Sequence, residues 1–264
     1  MRIALGVAYD GAPYAGWQTQ PHGRTLQDVL EGALAQFADE PVATTCAGRT
    51  DAGVHAVGQV VHFDTTRERA LQGWVRGVNR YLPGAIAVQW ACTVTPEFHA
   101  RYSARARHYD YWILNHPVRA PLLHGRVGWV FRPLDVAAMQ AAATAVVGTH
   151  DFSSFRSAEC QARSPERTMS RCEVQRAGSH LVRVRASANA FLHHMVRNLV
   201  GALVEVGTGR RSADWMAELL AARDRRLGAP TMDAAGLVLS GVDYDEGFGL
   251  PKFELGKEPW TLEH

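Results

Sequence analysis

The stretch "CAGRTDAGVHAVGQVVHFD", residues 46–64, sets Arg49 and Asp51 between Gly48 and Gly53, with strand-like runs on either side. A tight hairpin needs only about two to five connecting residues, commonly Asn-Gly or Asp-Gly. An aspartate in a turn ordinarily bonds its own backbone. Arg49, two residues earlier, argues for something more, because a surface turn gains little from such a charge pair. The two glycines permit unusual dihedrals and let a ligand come close. The loop reads as built to present the Asp51 carboxylate, a group suited to nucleophilic or acid–base work.

Two further stretches carry candidate chemistry. In "FHARYSARARHYDYWILN", residues 98–115, an extended chain would place Arg101, Ser103, Arg105, Arg107, Tyr109 and Tyr111 on one face. Arginines leading into aromatics suit phosphates followed by stacked bases, as in a reader of unpaired RNA. The same pattern also describes a solvated strand face whose tyrosines anchor a core. In "NAFLHHMVRNLVGALVEVG", residues 189–207, Leu192, Met195, Val196, Leu199, Val200 and Leu203 form a helical core stripe. Ala190, His194, Arg197 and Gly201 fall on the opposite face, where small residues would admit another backbone. A covered Arg197 needs an anion, and Asp51 is the partner nominated. Adjacent residues on a helix diverge, so His193 and His194 do not read as a metal pair. One would pack and the other would face solvent or RNA. The broken loop "YDGAPYAGWQTQPHGRTLQ" offers Trp17, Gln18, Gln20 and Arg24 for nucleic-acid contact or for its own packing, and "HDFSSFR" offers Phe152, Phe155 and Arg156 on the same terms.

The elements that must position these residues follow from periodicity. A short strand "RIALGVAYDG" precedes a helix with Leu26, Val29, Leu30, Ala33, Leu34 and Phe37 on one stripe and Thr25 as N-cap. Strands near 42–47 and 56–63, a second amphipathic helix at 67–82 stopped by Pro83-Gly84, and a strand at 85–94 complete a βαββαβ order, the split ferredoxin-like unit. A looser version follows, with strands near 107–114 and 125–131 and a helix near 135–147. Strands near 171–176 and 181–187, helices at about 191–206 and 212–222, and a strand near 237–243 complete it. Residues 150–170 lack periodicity and read as a long functional loop. The expected layout is α+β, with halves at 1–103 and 104–264, largely antiparallel sheets and a central cleft.

Composition narrows the function classes. The chain has 264 residues, 47% of them hydrophobic, enough for a sizeable core or two domains. No run approaches the roughly 18 apolar residues of a membrane span, and the N-terminus lacks a signal-peptide layout. Cys46, Cys92, Cys160 and Cys172 lie far apart, which predicts reduced thiols, no zinc site and a cytoplasmic protein. No P-loop, HExxH or GxGxxG appears, so no cofactor is expected. The net charge is only +2, and of 28 basic residues only Lys252 and Lys257 are lysines. Arginine is the better bidentate ligand for phosphate. The final "TLEH" has the look of a tag remnant.

Five segments in order, "YDGAPYAGWQxQ", "AGRTDAGVHAxGQVVHFD", "SARARHYDYWIxN", "THDFSSF" and "NAFLHHMVRNxVG", resemble the TruA-type tRNA pseudouridine synthases from Tyr9 to about Tyr244. Where many members carry a proline-rich turn before a Gly-Leu strand, this chain reads "GAPTMDAAGLVLSGVDY". The resemblance implies a pseudouridine synthase fold and cofactor-free isomerisation of uridine at tRNA nucleotides 38, 39 and 40 in the anticodon arm. It also implies a homodimer with one tRNA spanning both subunits. Asp51 would be the catalytic aspartate, Tyr109 the tyrosine stacked on the target base, Arg197 the arginine paired with the aspartate, and Leu237 a lining residue. Arg49 would hold the backbone of a flipped-out nucleotide. Two rival readings remain at the level of sequence. A non-catalytic RNA-binding protein would leave Asp51 unexplained. A glycosidic hydrolase would call for a second carboxylate at a defined distance.

Overall fold

A computed structural model of the chain describes residues 1–251; the expectation for "TLEH" lies outside the described residues. The described residues divide into two compact units, one of Met1–Arg107 with Val238–Pro251, the other of His108–Leu237. In the first unit, the elements run β1 (Arg2–Tyr9), α1 (Leu26–Ala38), β2 (Thr45–Cys46), β3 (His55–Asp64), α2 (Leu71–Asn79) and β4 (Ile86–Val94), the βαββαβ order read from periodicity. β1 is the centre of this sheet and pairs antiparallel with both β3 and β4. Thr25 caps α1 by accepting from the Asp28 amide, and Leu26, Leu30, Ala33 and Leu34 turn inward. Phe37 of α1 and Phe63 of β3 each place a ring 5.1 Å from that of Trp74 on α2, which is fully buried. This cluster fixes both helices on one face of the sheet, the fully buried Phe63 and Trp74 each contributing about 1.5–3 kcal/mol by burial.

The second unit runs β5 (Ala106–Asn115), β6 (Gly128–Val130), α3 (Val136–Thr144), β7 (Gly148–Asp151), β8 (Glu166–Ala177), β9 (Leu181–Ala188), α4 (Met195–Gly207) and α5 (Trp215–Ala222). Its strands follow the order β5-β9-β8-β7, with β6 parallel to β5. Under this sheet, α3 packs on α4 so closely that a Cβ at Gly207 would meet Met139 Sδ at 2.6 Å. A buried ion pair joins β5 to β9, where Arg183 donates through Nε and Nη2 to both carboxylate oxygens of Asp110 at 2.9 Å. The Arg183 guanidinium lies 4.9 Å from the Trp112 ring centroid, and Arg185 Nε stands 3.7 Å from the same carboxylate.

Three features depart from the periodicity reading. The chain from Leu237 to Asp243 forms β10, and its Val238 and Leu239 pair parallel with His55 and Ala56 of β3, in the first unit. The stretch 150–170 is not one open loop. β7 and the start of β8 pair across it, from Gly148 with Met169 to Asp151 with Glu166. "GTHD" has no apolar alternation to betray a strand, because backbone hydrogen bonds alone hold it. The helix expected from 191 begins only at Met195, since His194 has φ +61.

Asp110 is the anion for Arg183 and lies beside Arg185, so its removal strands buried charge. We expect Asp110→Asn to lower unfolding free energy by about 3–5 kcal/mol, and the double replacement Asp110→Leu with Arg183→Met to recover most of the loss. Urea denaturation of the three proteins checks this; equal stability of Asp110→Asn and the parent would refute it.

Candidate active site

The Asp51 loop is braced by residues of β1, β3 and the chain that follows β1. Gln59 of β3, fully buried, donates from Nε2 to the Gly48 carbonyl at 2.7 Å and to the Tyr9 hydroxyl at 3.3 Å. That hydroxyl lies 2.8 Å from Thr50 Oγ1, and the Trp17 amide donates to the Thr50 carbonyl at 2.9 Å. Both groups of Thr50, immediately before Asp51, are therefore tied down. The Val54 amide then donates to the Asp51 carbonyl at 3.1 Å, closing a turn in which Gly53 takes φ +78, a conformation that favours glycine. A Cβ at Gly11 would sit 1.9 Å from the Val54 carbonyl oxygen, so only glycine lets the chain after β1 lie this close to the loop. His55 Nδ1 accepts from the Gly11 amide at 3.1 Å and lies 3.1 Å from Asp10 Oδ1. Asp51 is half-buried and Arg49 exposed at the tip of this frame. Burial pushes the neighbouring Cys46 thiol up to about 12, against the opposing charges of Arg49 and Arg101, which keeps the thiol inert.

In the second unit, Tyr109 of β5 is 9% exposed and meets Phe191 edge to face at 5.1 Å and 86°. Arg197 of α4 is half-buried, and its Nε donates to the Met232 carbonyl at 2.7 Å while its own carbonyl accepts from the Met232 amide at 3.3 Å. One turn on, a Cβ at Gly201 would lie 2.2 Å from the Pro230 carbonyl. The small-residue face of α4 thus admits the backbone of residues 229–232. His193 and His194 precede the helix rather than lying on it, and their rings meet at a tilt of 37° with centroids 4.0 Å apart. The left-handed backbone at His194 breaks the helical geometry that would have separated them. Leu237 is 6% exposed and opens β10.

A family profile described as "tRNA pseudouridine synthase" matches residues 6–103 and 142–245. A "tRNA pseudouridine synthase A" of Burkholderia cenocepacia (strain HI2424) is 57% identical over 261 residues, covering 99% of this chain and 96% of the relative. One of Herminiimonas arsenicoxydans is 54% identical over 264 residues, covering 98% and 96%. This chain belongs to the tRNA pseudouridine synthase family.

For a tRNA pseudouridine synthase, the expected RNA contacts fall into two groups. Gln18, Arg24, Arg101 and Arg105 have exposed side chains; Arg105 is paired with Asp245, and the Arg101 guanidinium lies 5.6 Å from the Tyr102 ring. Trp17 and Arg107 are placed otherwise. Trp17 is 2% exposed, its ring 5.8 Å from that of Tyr9, so it braces the Asp51 loop from behind. Arg107 donates to the carbonyls of Arg101 at 2.6 Å, Ala104 at 3.2 Å and Ala47 at 3.0 Å, so its guanidinium organises backbone. The single arginine face expected over 101–107 is absent because β5 starts only at Ala106. Tyr111 is fully buried and its hydroxyl donates to the Asp233 carbonyl at 2.7 Å. His194 is half-buried.

Sequence reasoning passed over the bracing set of Tyr9, Thr50 and Gln59, and the turn that carries Arg101. In that turn His62 Nδ1 accepts from the Ala100 amide at 3.1 Å, which requires an unprotonated Nδ1. Burial, followed by the Arg2 charge, lowers the His62 pKa from 6.5 to about 4. Over that interval the unfolded chain binds the proton and the folded one does not, so stability rises with pH. The stabilisation from a neutral His62 is complete above the unfolded value of 6.5 and is lost as pH falls through about 4. Denaturant unfolding measured at several pH values should show this slope, and His62→Gln should flatten it; an unchanged slope would place the proton uptake elsewhere.

Proposed function

We propose that this enzyme isomerises uridine to pseudouridine at positions 38, 39 and 40 in the anticodon stem-loop of tRNA, with Asp51 essential and no cofactor. The observation that carries the reading is the Asp51 loop, a carboxylate on a backbone fixed by Tyr9 of β1, Gln59 of β3 and the Trp17 amide of the chain after β1. The reaction breaks the N1–C1′ bond, turns the base and forms C5–C1′, while C5 gives up a proton and N1 gains one. It is neutral in electrons and needs no activated phosphate, so amino-acid side chains suffice. A fixed carboxylate can serve it as nucleophile or as general base. In this reading Tyr109 stacks on the target base, Leu237 lines its pocket and Arg197 is the cation opposite Asp51. Arg49 holds the backbone of the extruded nucleotide. The enzyme acts as a homodimer in the cytoplasm; among the described residues no helix is long and apolar enough to cross a membrane. A dimer would combine the local arginine clusters of two chains whose individual net charge is only +2.

Asp51→Asn keeps the size of the side chain and removes its charge. Turnover, read as tritium release from 5-[³H]-uridine-labelled tRNA, should fall by more than about a hundredfold, while melting temperature and tRNA affinity stay near wild type. Near-normal release would remove Asp51 from the chemistry.

Phosphate contact predicts salt dependence. Replacing the exposed Arg101 and Arg105 with alanine should flatten the slope of log affinity against log salt by about 0.7–0.9 for each phosphate no longer neutralised. Filter binding across a salt series measures it, and an unaltered slope would turn these arginines away from the RNA.

A further inference from the structure

Tyr102 is 76% exposed, yet the turn that carries it is tied down at several peptides. Its ring lies 4.3 Å from that of His99 at 31°, and His99 lies 4.9 Å from the buried His62. His99 Nδ1 accepts from the amides of both Arg101 and Tyr102 at 3.2 Å, and the Ser103 amide donates to the His99 carbonyl at 2.8 Å. The Ala100 carbonyl accepts from the Tyr244 hydroxyl at 2.6 Å, and that of Arg101 from Arg107. Below the turn, Phe98 is fully buried among the rings of His62, Tyr244 and Phe248. A turn secured at almost every peptide therefore presents a large ring to solvent, where burial stabilises it little. One face of that ring is backed by an imidazole that burial, then the Arg2 charge, hold below the usual histidine range and so neutral. A rigid aromatic with few rotatable bonds gives contact area at low entropic cost.

Its neighbours indicate what it contacts. The Arg101 guanidinium lies over the ring, 5.6 Å from its centroid, and the charges of Arg101 and Arg49 both act on the Cys46 thiol. One guanidinium, that of Arg107, bonds the Arg101 carbonyl of this turn and the Ala47 carbonyl at the start of the Asp51 loop. The turn and the catalytic loop are thus fixed to each other within one unit. A flat aromatic face next to a cation is the combination that binds an unpaired nucleotide.

We propose that Tyr102 is a base-stacking platform: an unpaired base of the anticodon loop lies on its exposed ring, in the place the Arg101 guanidinium takes over that ring here, while Arg101 holds a phosphate of the same strand. This rests on the tRNA reading above. Base–aromatic stacking is insensitive to base identity, so such a platform would serve many tRNAs alike.

The test is a synthetic anticodon stem-loop carrying 2-aminopurine singly at each unpaired position, with wild type, Tyr102→Ala and Tyr102→Phe. Wild type should quench the probe at one position. Tyr102→Ala should abolish that quench and weaken binding roughly five- to one-hundredfold, with unaltered turnover at saturating RNA and unaltered melting temperature. Tyr102→Phe should retain both quench and affinity. The proposal is overturned if Tyr102→Ala binds and quenches like wild type, if no position is quenched, or if Tyr102→Phe fails like alanine, which would indicate a hydroxyl contact. A fall in saturating turnover with affinity intact would also overturn it. Wild type that neither binds nor modifies tRNA would remove the functional reading and the platform together. Normal wild-type modification with an indifferent Tyr102→Ala removes the platform alone.

Discussion

The constraint on which the Asp51 loop depends is the satisfaction of its own backbone. Residues 47–54 leave the sheet, and buried peptide groups that leave a ladder need other partners. Here the Ala47 carbonyl takes Arg107, that of Gly48 takes Gln59 and that of Thr50 takes the Trp17 amide. The Thr50 hydroxyl meets Tyr9. These partners come from β1, β3, β5 and the loop after β1, so the position of Asp51 is a consequence of the sheet being assembled. A carboxylate on such a frame inherits its place from the backbone beneath it.

A comparable economy operates around α4. Asn198 donates from Nδ2 to the Phe155 carbonyl at 2.8 Å, and its Oδ1 accepts from Arg225 at 3.0 Å and Thr231 at 2.6 Å. One buried amide thus joins the 153–155 turn and the 229–232 segment to the first turn of α4. The bond from Arg197 Nε to Met232 adds to the same seam. His194, immediately before α4, adopts the left-handed conformation. For a residue with a Cβ this costs of order 1–2 kcal/mol, and such strain tends to accumulate where function requires a particular side-chain direction. The His193 and His194 rings meeting at a tilt are its visible result.

The arginine-rich composition divides by burial. Buried Arg183 and half-buried Arg107 and Arg225 use their planar donor sets on a carboxylate, carbonyls and an amide of the fold. Arg49, Arg101 and Arg105 keep theirs at the surface of the first unit. Lysine could not replace the first group, because one ammonium lacks the fixed fork that spans two or three acceptors.

What the sequence by itself determined was the order of elements and the chemistry on offer. The α1 stripe, the βαββαβ order, the core stripe of α4 and the isolated Asp51 between glycines were all legible, because each is a local pattern whose period or composition has a local cause. The tertiary structure decided which residue of the right type does which task. Trp17 and Arg107 have the chemistry of RNA contacts, but the pairing of β1 with β3 and the late start of β5 turn them inward as braces. Tyr9, Thr50 and Gln59 carry no signal in sequence, since they lie up to 50 residues apart and meet only after those strands pair. β7 and the return of β10 to β3 were likewise hidden: both are made by backbone hydrogen bonds between distant segments, which side-chain periodicity does not encode.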